Sequence, residues 1–595
     1  MFTNWVELDK MAAERKTYCV VGGVGGGAGA AARLRRLDEN AEVIIFERGP
    51  FVSFANCGLP YHIGNVIPSE PKLLVSSPGH FACRFNIDCR VHNNVLKIDR
   101  EKQVVHVQNV ETKEEYEQHY DALVLSPGAR PIKPPLPGLT NEGVFSLRTI
   151  PDTRKIRTWL DKSGAKNAVI VGGGFIGLEM AENLVERGLN VTVVEMLNQV
   201  MAPLDLEMAN IVQNKLKSKG IRLVLGDGLS SIGDDLTVTT QSGMAIPADM
   251  VVLSIGVLPE NTLAKEAGLD LGVRGTIAVN DQMMTTDPHI YAVGDAIQTD
   301  NFVAKTKTHV PLAGPANRQG RCAANNICGV VDHFRGVQGT AVCGMFNLSI
   351  ACTGMNEKFC KSMDIPYKTV HLHPLHHVKY YPDPEAIHLK VVFDPETGEV
   401  LGAQAVGHAG VEKRIDIIAT HIQYKGKMAN LAEAELCYAP QFGAAKDPVN
   451  LAGMMGENIL SGVMKMVEWE EALAGEGIIV DVRNPREDEE EGTISQECMK
   501  LPLCWLRRKE IEMPKDKPIY LMCREGQRAY YAMRFLAQKG YDSYVINGGY
   551  VTYCMKHGLE LPINGQIKTM ACFASNGDHT VEFDKAEDGL YKAKE

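Results

Sequence analysis

The chain has 595 residues, 45% of them apolar and 23% charged, with a formal net charge of −11. That composition belongs to an ordinary soluble globular protein too long for one hydrophobic core, so roughly three to five domains are expected. The negative charge excludes nucleic acid and an anionic membrane as main partners, and no stretch reaches the apolar length of a membrane span.

Met1–Lys16 carries acidic residues without the apolar centre of a signal peptide. Fifteen scattered cysteines without such a signal point to a reducing, cytoplasmic setting, where most serve as small buried hydrophobes. Beyond Lys16 the first predicted unit opens at Tyr18-Cys-Val-Val-Gly22. A glycine turn runs from Gly22 through Val24 to Gly27, an alanine-rich helix follows over Ala28–Leu37, and the strand Glu42–Glu47 closes on an acid beside Arg48. The second unit repeats that order. Ala168–Val171 leads into Gly172-Gly-Gly174-Phe175-Ile176-Gly177, a helix to about Arg187, and the strand Asn190–Glu195. Strand, glycine turn, helix and acid-closed strand within about 30 residues make the dinucleotide-binding pattern. A lone glycine fingerprint is weak; two complete units about 150 residues apart are strong.

The two turns differ. In the second, Gly172 permits the tight turn, Gly174 lets the backbone approach pyrophosphate, and Gly177 allows close helix–strand packing. In the first, Val24 takes the middle glycine position and crowds the phosphates, with Gly25 and Gly26 left to compensate. Asp121–Gly128 is an apolar strand ending in a turn that carries Ser126 and Gly128. Pro288–Asp295 delivers the Asp295 carboxylate just past a glycine, suited to a ribityl hydroxyl, and Asp249–Gly256 has the same strand–glycine form. Residues 16–149 and 263–335 therefore read as one discontinuous FAD-binding domain, with an NAD-binding domain at 150–262 inserted in it.

Residues 336–462 read as an α+β layer, with strands at Gly344–Ala351, His388–Phe393 and Leu401–Val406 and helices at Lys413–Tyr424 and Pro448–Val463. The segment near Val467–Glu476 reads as a short tether. Another α/β unit spans 470–564, with strands at Gly477–Arg483 and from Lys517 to Cys523. The acidic run Glu487–Glu491 is expected to be a solvated loop face, and the tail at 565–595 loosely ordered.

Two cysteines stand out by position. Cys57, in Ser53-Phe-Ala-Asn-Cys-Gly-Leu-Pro-Tyr61, lies ten residues past Glu47, where a thiol can sit at a helix start facing a bound flavin. It has no second cysteine at the spacing of an internal redox disulfide. Its sulfur partner must come from outside: a low-molecular-weight thiol, a persulfide or a peroxide. A lowered thiol pKa is expected from the helix start and the flavin face. Cys523, in Cys523-Arg-Glu-Gly-Gln-Arg528, sits in a loop between strand and helix whose N–H groups can converge on its sulfur. The loop has four residues between cysteine and arginine, one fewer than cysteine phosphatases use, and so fits sulfur better than phosphate.

Here a resemblance can be stated. Residues 16–462 resemble the pyridine nucleotide–disulfide oxidoreductase family, and specifically its coenzyme A-disulfide reductase branch, through Ser53–Tyr61, Tyr380-Tyr-Pro382 and the run Tyr438–Pro448. Residues 470–564 resemble a rhodanese domain. The resemblance implies an α/β protein of two Rossmann-like domains (FAD and NAD), an α+β dimerisation domain at 336–462 and a C-terminal rhodanese domain. It implies that Cys57 rests as a mixed disulfide with coenzyme A. Arg33 and Arg36, one face of the first helix, with Ser53 and Asn56, would hold that coenzyme; Lys446 and Asn317 are further contacts, while the lysine some members carry near Phe85 is missing. Tyr380 and Tyr438 would donate hydrogen bonds to the leaving sulfur from the partner subunit of a homodimer, with Tyr381 a competitor for the first role. Asp481 and Arg483 match the rhodanese start motif and would position the loop of Cys523, Arg524, Gly526 and Arg528. Glu195 should bind adenosine ribose hydroxyls and repel a 2′-phosphate, favouring NADH over NADPH. Glu179, just inside the second helix, either helps place the nicotinamide or is solvated. No metal is expected.

The leading expectation is an FAD-dependent NAD(P)H reductase of coenzyme A disulfide, persulfides or polysulfide, with the rhodanese unit transferring sulfane sulfur. One alternative is an NADH oxidase or peroxidase working at Cys57. The other is a non-enzymatic persulfide carrier or redox sensor, which would have no need of an intact nicotinamide unit.

Overall fold

The computed structural model describes residues 15–494, 497–507, 513–561, 583–585 and 591–593. Met1–Met196 with Val224–Val337 form one compact unit, and Leu197–Leu223 with Gln338–Glu595 form another.

The first unit is built on two parallel sheets whose strands are apolar runs buried on both faces, as helix-covered parallel strands must be. In the first sheet the order is Ile290–Ala292, Ala122–Leu125, Thr17–Val21, Glu42–Glu47 and Asp88–Val91. The chain begins at the central strand and departs to either side of it, which opens a crevice at the carboxyl ends of the strands. The helix after that strand, Gly25–Leu37, buries Ala30, Ala31 and Leu34 and leaves Arg36 outside. The second sheet pairs Asn167–Val171 in parallel with Asn190–Glu195 on one side and Met250–Leu253 on the other, and Val144–Ser146 follows. Its turn leads into the helix Phe175–Glu186.

The second unit holds an antiparallel sheet in the order Ala341–Met345, Leu348–Gly354, Val400–Gly407, Ile387–Phe393 and Lys368–Leu372. The expected single strand at Gly344–Ala351 is instead a hairpin. Phe346 and Asn347 both take positive φ (45° and 64°) and reverse the chain in two residues. The helices Val411–Gln423 and Pro448–Leu460 fall where expected. A parallel sheet follows, ordered Met466–Val467, Ser543–Ile546, Ile519–Met522, Ile478–Asp481 and Met499–Lys500. The segment read as a tether is therefore structured: Met466–Val467 is an edge strand, and Trp469, at 1% exposure, anchors the helix Trp469–Ala474 in that domain's core.

The acidic run also differs from expectation. Pro485–Glu491 is a helix, Asn484 caps it, and Glu487 is buried against Arg528 rather than solvated. Arg528, Arg524 and Arg483 give Glu487, Glu491 and Asp488 partners that composition alone does not reveal. Of the tail, Phe583–Lys585 and Tyr591–Ala593 pair as an antiparallel ladder; the rest of it, like Met1–Glu14, lies outside the described residues.

Candidate functional site

A cavity of about 980 Å3 opens at the carboxyl ends of the first sheet. Gly22, at φ +95°, turns the chain out of the central strand, and a Cβ there would lie 2.1 Å from the Ser126 carbonyl oxygen. The first and second turns are built alike. Glu47 accepts from the Gly23 N–H at 3.0 Å, and Glu195 accepts from the Gly173 N–H at 2.7 Å. Gly27 and Gly177 are packing glycines, each with its Cβ position 2.0 Å from the carbonyl oxygen of Gly22 or Gly172. Gly27 accordingly does not line the cavity, whereas Gly22, Val24, Glu47, Arg48, Ser126, Gly128 and Asp295 all do. Val24 is the N-cap of the helix, and Gly25 beside it meets nothing where a Cβ would stand, so the backbone approach expected of the middle glycine shifts by one residue.

Asp295 is held by Arg148 Nη2 at 2.8 Å, and Arg148 lines the same cavity. This arginine was not legible in the sequence. It follows a three-residue strand, and its partner lies 147 residues further on. Arg48 pairs with Glu260 at 3.8 Å at the other side.

Cys57 lies in the 3-10 turn Asn56–Gly58, which runs into the helix Leu59–Ile63 with Pro60 in its first turn. Ser53, with φ +48°, fixes this loop: its N–H donates to Gly23 and its carbonyl accepts from Val75, both at 2.8 Å. Ser53, Asn56, Cys57 and Asn317 line the cavity together, and Cys57 is the one cysteine among the lining residues. Asn56 Oδ1 is buried with no hydrogen-bond partner among the described residues, and Asn56 lines the cavity.

The thiol's expected low pKa is not what the surrounding groups give. Cys57 is exposed in the cavity wall, yet desolvation by the groups packed around its thiol pushes it up, Glu179 and Asp295 add to that, and Arg148 and a peptide N–H pull it back only in part. A single 3-10 turn is too short to set a helix dipole against the desolvation. Glu179 is half-buried rather than solvated. Its carboxyl accepts from the Tyr61 hydroxyl at 3.3 Å, and desolvation raises its pKa to about 6 against the opposing hydrogen bond. Phe175 and Ile176 start the helix that carries it, and Gly256 (φ +103°) turns the chain after the neighbouring strand.

Arg33 and Arg36 share a helix face as expected, and Arg321 joins them: burial, Arg33 and Arg321 together lower the Arg36 pKa. Arg33 Nε donates to Asn325 at 2.9 Å, and none of the three lines the cavity itself. Asn317 donates to the Ala313 carbonyl at 2.9 Å and keeps its side chain at the cavity wall.

Lys446, Tyr380 and Tyr438 belong to the second unit. Lys446 is exposed next to Asp447, which caps the helix Pro448–Leu460. The Tyr380 and Tyr438 hydroxyls lie 3.0 Å apart on an exposed surface. Tyr381 packs edge-on against His377 instead.

In the third site Cys523 is buried at the end of the strand Ile519–Met522, and the Gly526 N–H, at φ +94°, donates to its Sγ at 3.1 Å. Arg483 is 3% exposed and grips Asp481 through Nε and Nη2, the latter at 2.8 Å, with its guanidinium 4.3 Å from the Tyr550 ring centroid. Val482 donates to Met522, which ties this pair to the loop's strand. Arg528 is held by Glu487, and Arg524 by Glu491 and Glu525. The three glutamates were missed in the sequence. The run of acids was visible, but not its partners.

The metal-like group among the described residues is Asp205, Glu207 and Glu357, whose oxygens lie within 4.8 Å of one another. Lys390 Nζ stands 2.8, 2.5 and 2.7 Å from an oxygen of each, so the protein supplies its own cation there.

Comparison with known proteins agrees with this geometry. Residues 16–320 match the family described as pyridine nucleotide-disulphide oxidoreductase, 340–448 its dimerisation domain, and 465–556 a rhodanese-like domain. The chain is 35% identical over 441 residues to the coenzyme A disulfide reductase of Staphylococcus haemolyticus, covering 74% of this chain and 99% of that protein. It is also 35% identical to an NADH oxidase of Methanocaldococcus jannaschii, over 73% of this chain and 97% of the other. A reduced Bacillus anthracis protein described as CoADR-RHD superposes with a TM-score of 0.89 at 46% identity, covering 91% of this chain and 98% of that one. An NAD-dependent persulfide reductase from A. fulgidus superposes at 0.85 with 35% identity, over 90% and 100%. Among the described residues no helix is long and apolar enough to cross a membrane.

Proposed function

Because the chain belongs to the pyridine nucleotide-disulphide oxidoreductase family, we propose that it reduces coenzyme A disulfide, coenzyme A persulfide or polysulfide with NAD(P)H through the single thiol Cys57. The observation that carries this reading is the lone cysteine in the cavity wall beside an unsatisfied Asn56 acceptor. With no second thiol there, the exchanging sulfur arrives with the substrate. A bound FAD supplies the two-electron link between the nicotinamide and that sulfur.

The chain's residues divide the work. The turn Gly22–Gly27, Glu47, Arg48, Ser126, Gly128 and Asp295 hold FAD, with Arg148 anchoring Asp295. Gly172, Gly174, Phe175, Ile176, Gly177, Glu195 and Gly256 hold the dinucleotide, and Glu195 at the ribose favours NADH. Ser53, Asn56 and Asn317 seat the thiol end of coenzyme A, and Arg33, Arg36 and Lys446 meet its phosphates. Reduction of a Cys57–S–S–R bond takes two electrons and one proton, releases RSH and leaves Cys57 as thiolate. That thiolate attacks the next disulfide and expels a second thiolate. Tyr380 and Tyr438 of a second copy, in a homodimer, donate hydrogen bonds to the departing sulfur. The flavin domain spans 16–149 and 263–335, the nicotinamide domain 150–262, the dimerisation domain 336–462 and the rhodanese domain 470–564. In the last, Cys523 accepts sulfane sulfur.

Mass spectrometry of the purified protein tests this. A coenzyme A adduct on Cys57, released by NADH, is expected; an unmodified or sulfenic Cys57 that coenzyme A disulfide leaves unchanged contradicts it. A second reading, an NADH oxidase, draws on the 35% identity to the Methanocaldococcus relative and on the exposure of Cys57. NADH-dependent oxygen uptake outrunning disulfide reduction favours it.

A further inference from the structure

The cations around Cys523 are matched by more carboxylates than they need. Arg528 is taken up by both oxygens of Glu487, at 2.5 and 2.6 Å, an end-on fork that uses both terminal nitrogens. Arg524 donates to Glu491 through Nε at 2.9 Å and to Glu525 through Nη1. Glu487 is 5% exposed and Arg524 is 7% exposed, so little solvent screens these pairs. Behind them Arg483 and Lys500 are balanced by Asp481 and Asp488. Among the described residues the wall of the loop therefore sets two guanidinium groups against three carboxyl groups, one acid in excess. The donor that points at the sulfur is a peptide N–H, that of Gly526.

We propose that Glu487, Glu491 and Glu525 set the sulfur-donor specificity of Cys523, by neutralising Arg524 and Arg528 so that the loop accepts sulfur from organic persulfides and rejects the dianion thiosulfate. This rests on the reading that Cys523 takes up sulfane sulfur. With a persulfide, the Cys523 thiolate attacks the outer sulfur of R–S–SH. A bond forms between Cys523 Sγ and the outer sulfur, the S–S bond of the persulfide breaks, and its electron pair leaves on the inner sulfur as the thiolate R–S⁻, which adds one charge at the loop. With thiosulfate the same attack expels sulfite, which carries two charges out through the same wall. Two free arginines would stabilise that dianion; two arginines already spent on carboxylates do not, and the third carboxylate repels it. A single added charge on the persulfidic sulfur is within what the Gly526 N–H and the loop can hold.

The three glutamates are positioning residues, acting through the arginines. The test loads Cys523 in the full chain with either coenzyme A persulfide or thiosulfate and follows one added sulfur on the Cys523 peptide by mass. The parent protein is expected to load from the persulfide with a kcat/KM about a hundredfold above that for thiosulfate. Glu487→Gln, which frees the Arg528 fork, should narrow that ratio about tenfold, chiefly by lowering KM for thiosulfate, while NADH-driven reduction of coenzyme A disulfide is unaffected. Since Glu487 also caps its helix, Glu525→Gln, at a half-exposed position, is the second variant and should shift the ratio the same way. Equal loading of the parent by both donors, or a ratio unmoved in a folded Glu487→Gln and in Glu525→Gln, overturns the assignment. Loading from neither donor overturns the sulfur-acceptor reading, and the specificity with it.

Discussion

The carboxyl of Glu179 adds to the desolvation that holds the Cys57 pKa up. Desolvation is the larger cause of the raised thiol pKa, with the Glu179 charge next and Asp295 after it. Replacing Glu179 by Gln removes a negative charge without changing its shape, so the thiolate forms more easily. The pH profile of Cys57 alkylation by iodoacetamide should therefore move to lower pH in Glu179→Gln, with faster alkylation near neutrality. A profile that stays in place or moves up would show that the carboxyl does not act on the thiol. The cavity cysteine and its loop were legible from residue order alone, because Ser53–Tyr61 is a contiguous motif. The groups that tune it were not: Glu179 is 118 residues from its Tyr61 partner, and Arg148 is 147 from Asp295. Sequence shows such residues only as ordinary charges on a helix or after a strand. Nor does it show that burial outweighs the pull of one short turn on Cys57.

At the level of elements, the strand Ile387–Phe393 buries Lys390 completely and surrounds it with Asp205, Glu207 and Glu357. Asp205 caps the helix Leu206–Ser218 and accepts the N–H groups of Glu357 and Lys358, both at 3.1 Å, so one ammonium ties a sheet to two helix starts. Burial alone would lower the Lys390 pKa; the carboxylates Glu207, Asp205 and Glu357 outweigh it and raise it. Burial likewise pushes Glu357 up, and Lys390 reverses this to hold it well below the ordinary glutamate range. A carboxyl with a depressed folded pKa stabilises above its unfolded value and loses that contribution as pH falls. Lys390→Met should cost about 3–5 kcal/mol at neutral pH, because it strands buried carboxylates, and the loss should shrink in acid as they protonate. Chemical denaturation at neutral and acid pH checks both; an equally stable variant at neutral pH would contradict the account. The strand itself was legible from its apolar run, but a lysine in its middle carries no sequence mark of being buried. The hairpin at Phe346–Asn347 was missed for a related reason. Its turn residues lack the glycine that usually betrays two consecutive positive φ angles.

Across the whole molecule the glycine turns, Cys57 and Cys523 lie on separate local motifs, which is why the order of domains could be read at all. If Tyr380 and Tyr438 serve the second copy's Cys57, protomers with Cys57→Ser and protomers with Tyr380→Phe and Tyr438→Phe should complement one another. A mixed dimer carries one intact site, so statistical reassembly should restore about a quarter of parental disulfide reduction from two nearly inactive proteins. No gain on mixing would place the tyrosines in the same chain's site or outside it. The central claim is that electrons pass from the nicotinamide through the flavin to an external sulfur by way of Cys57 alone. Stopped-flow spectra of Cys57→Ser test it most directly, with NADH first and coenzyme A disulfide second. Flavin bleaching by NADH at near the parental rate, followed by no reoxidation on adding the disulfide, is the predicted result. Reoxidation by coenzyme A disulfide at the parental rate in that variant would contradict it.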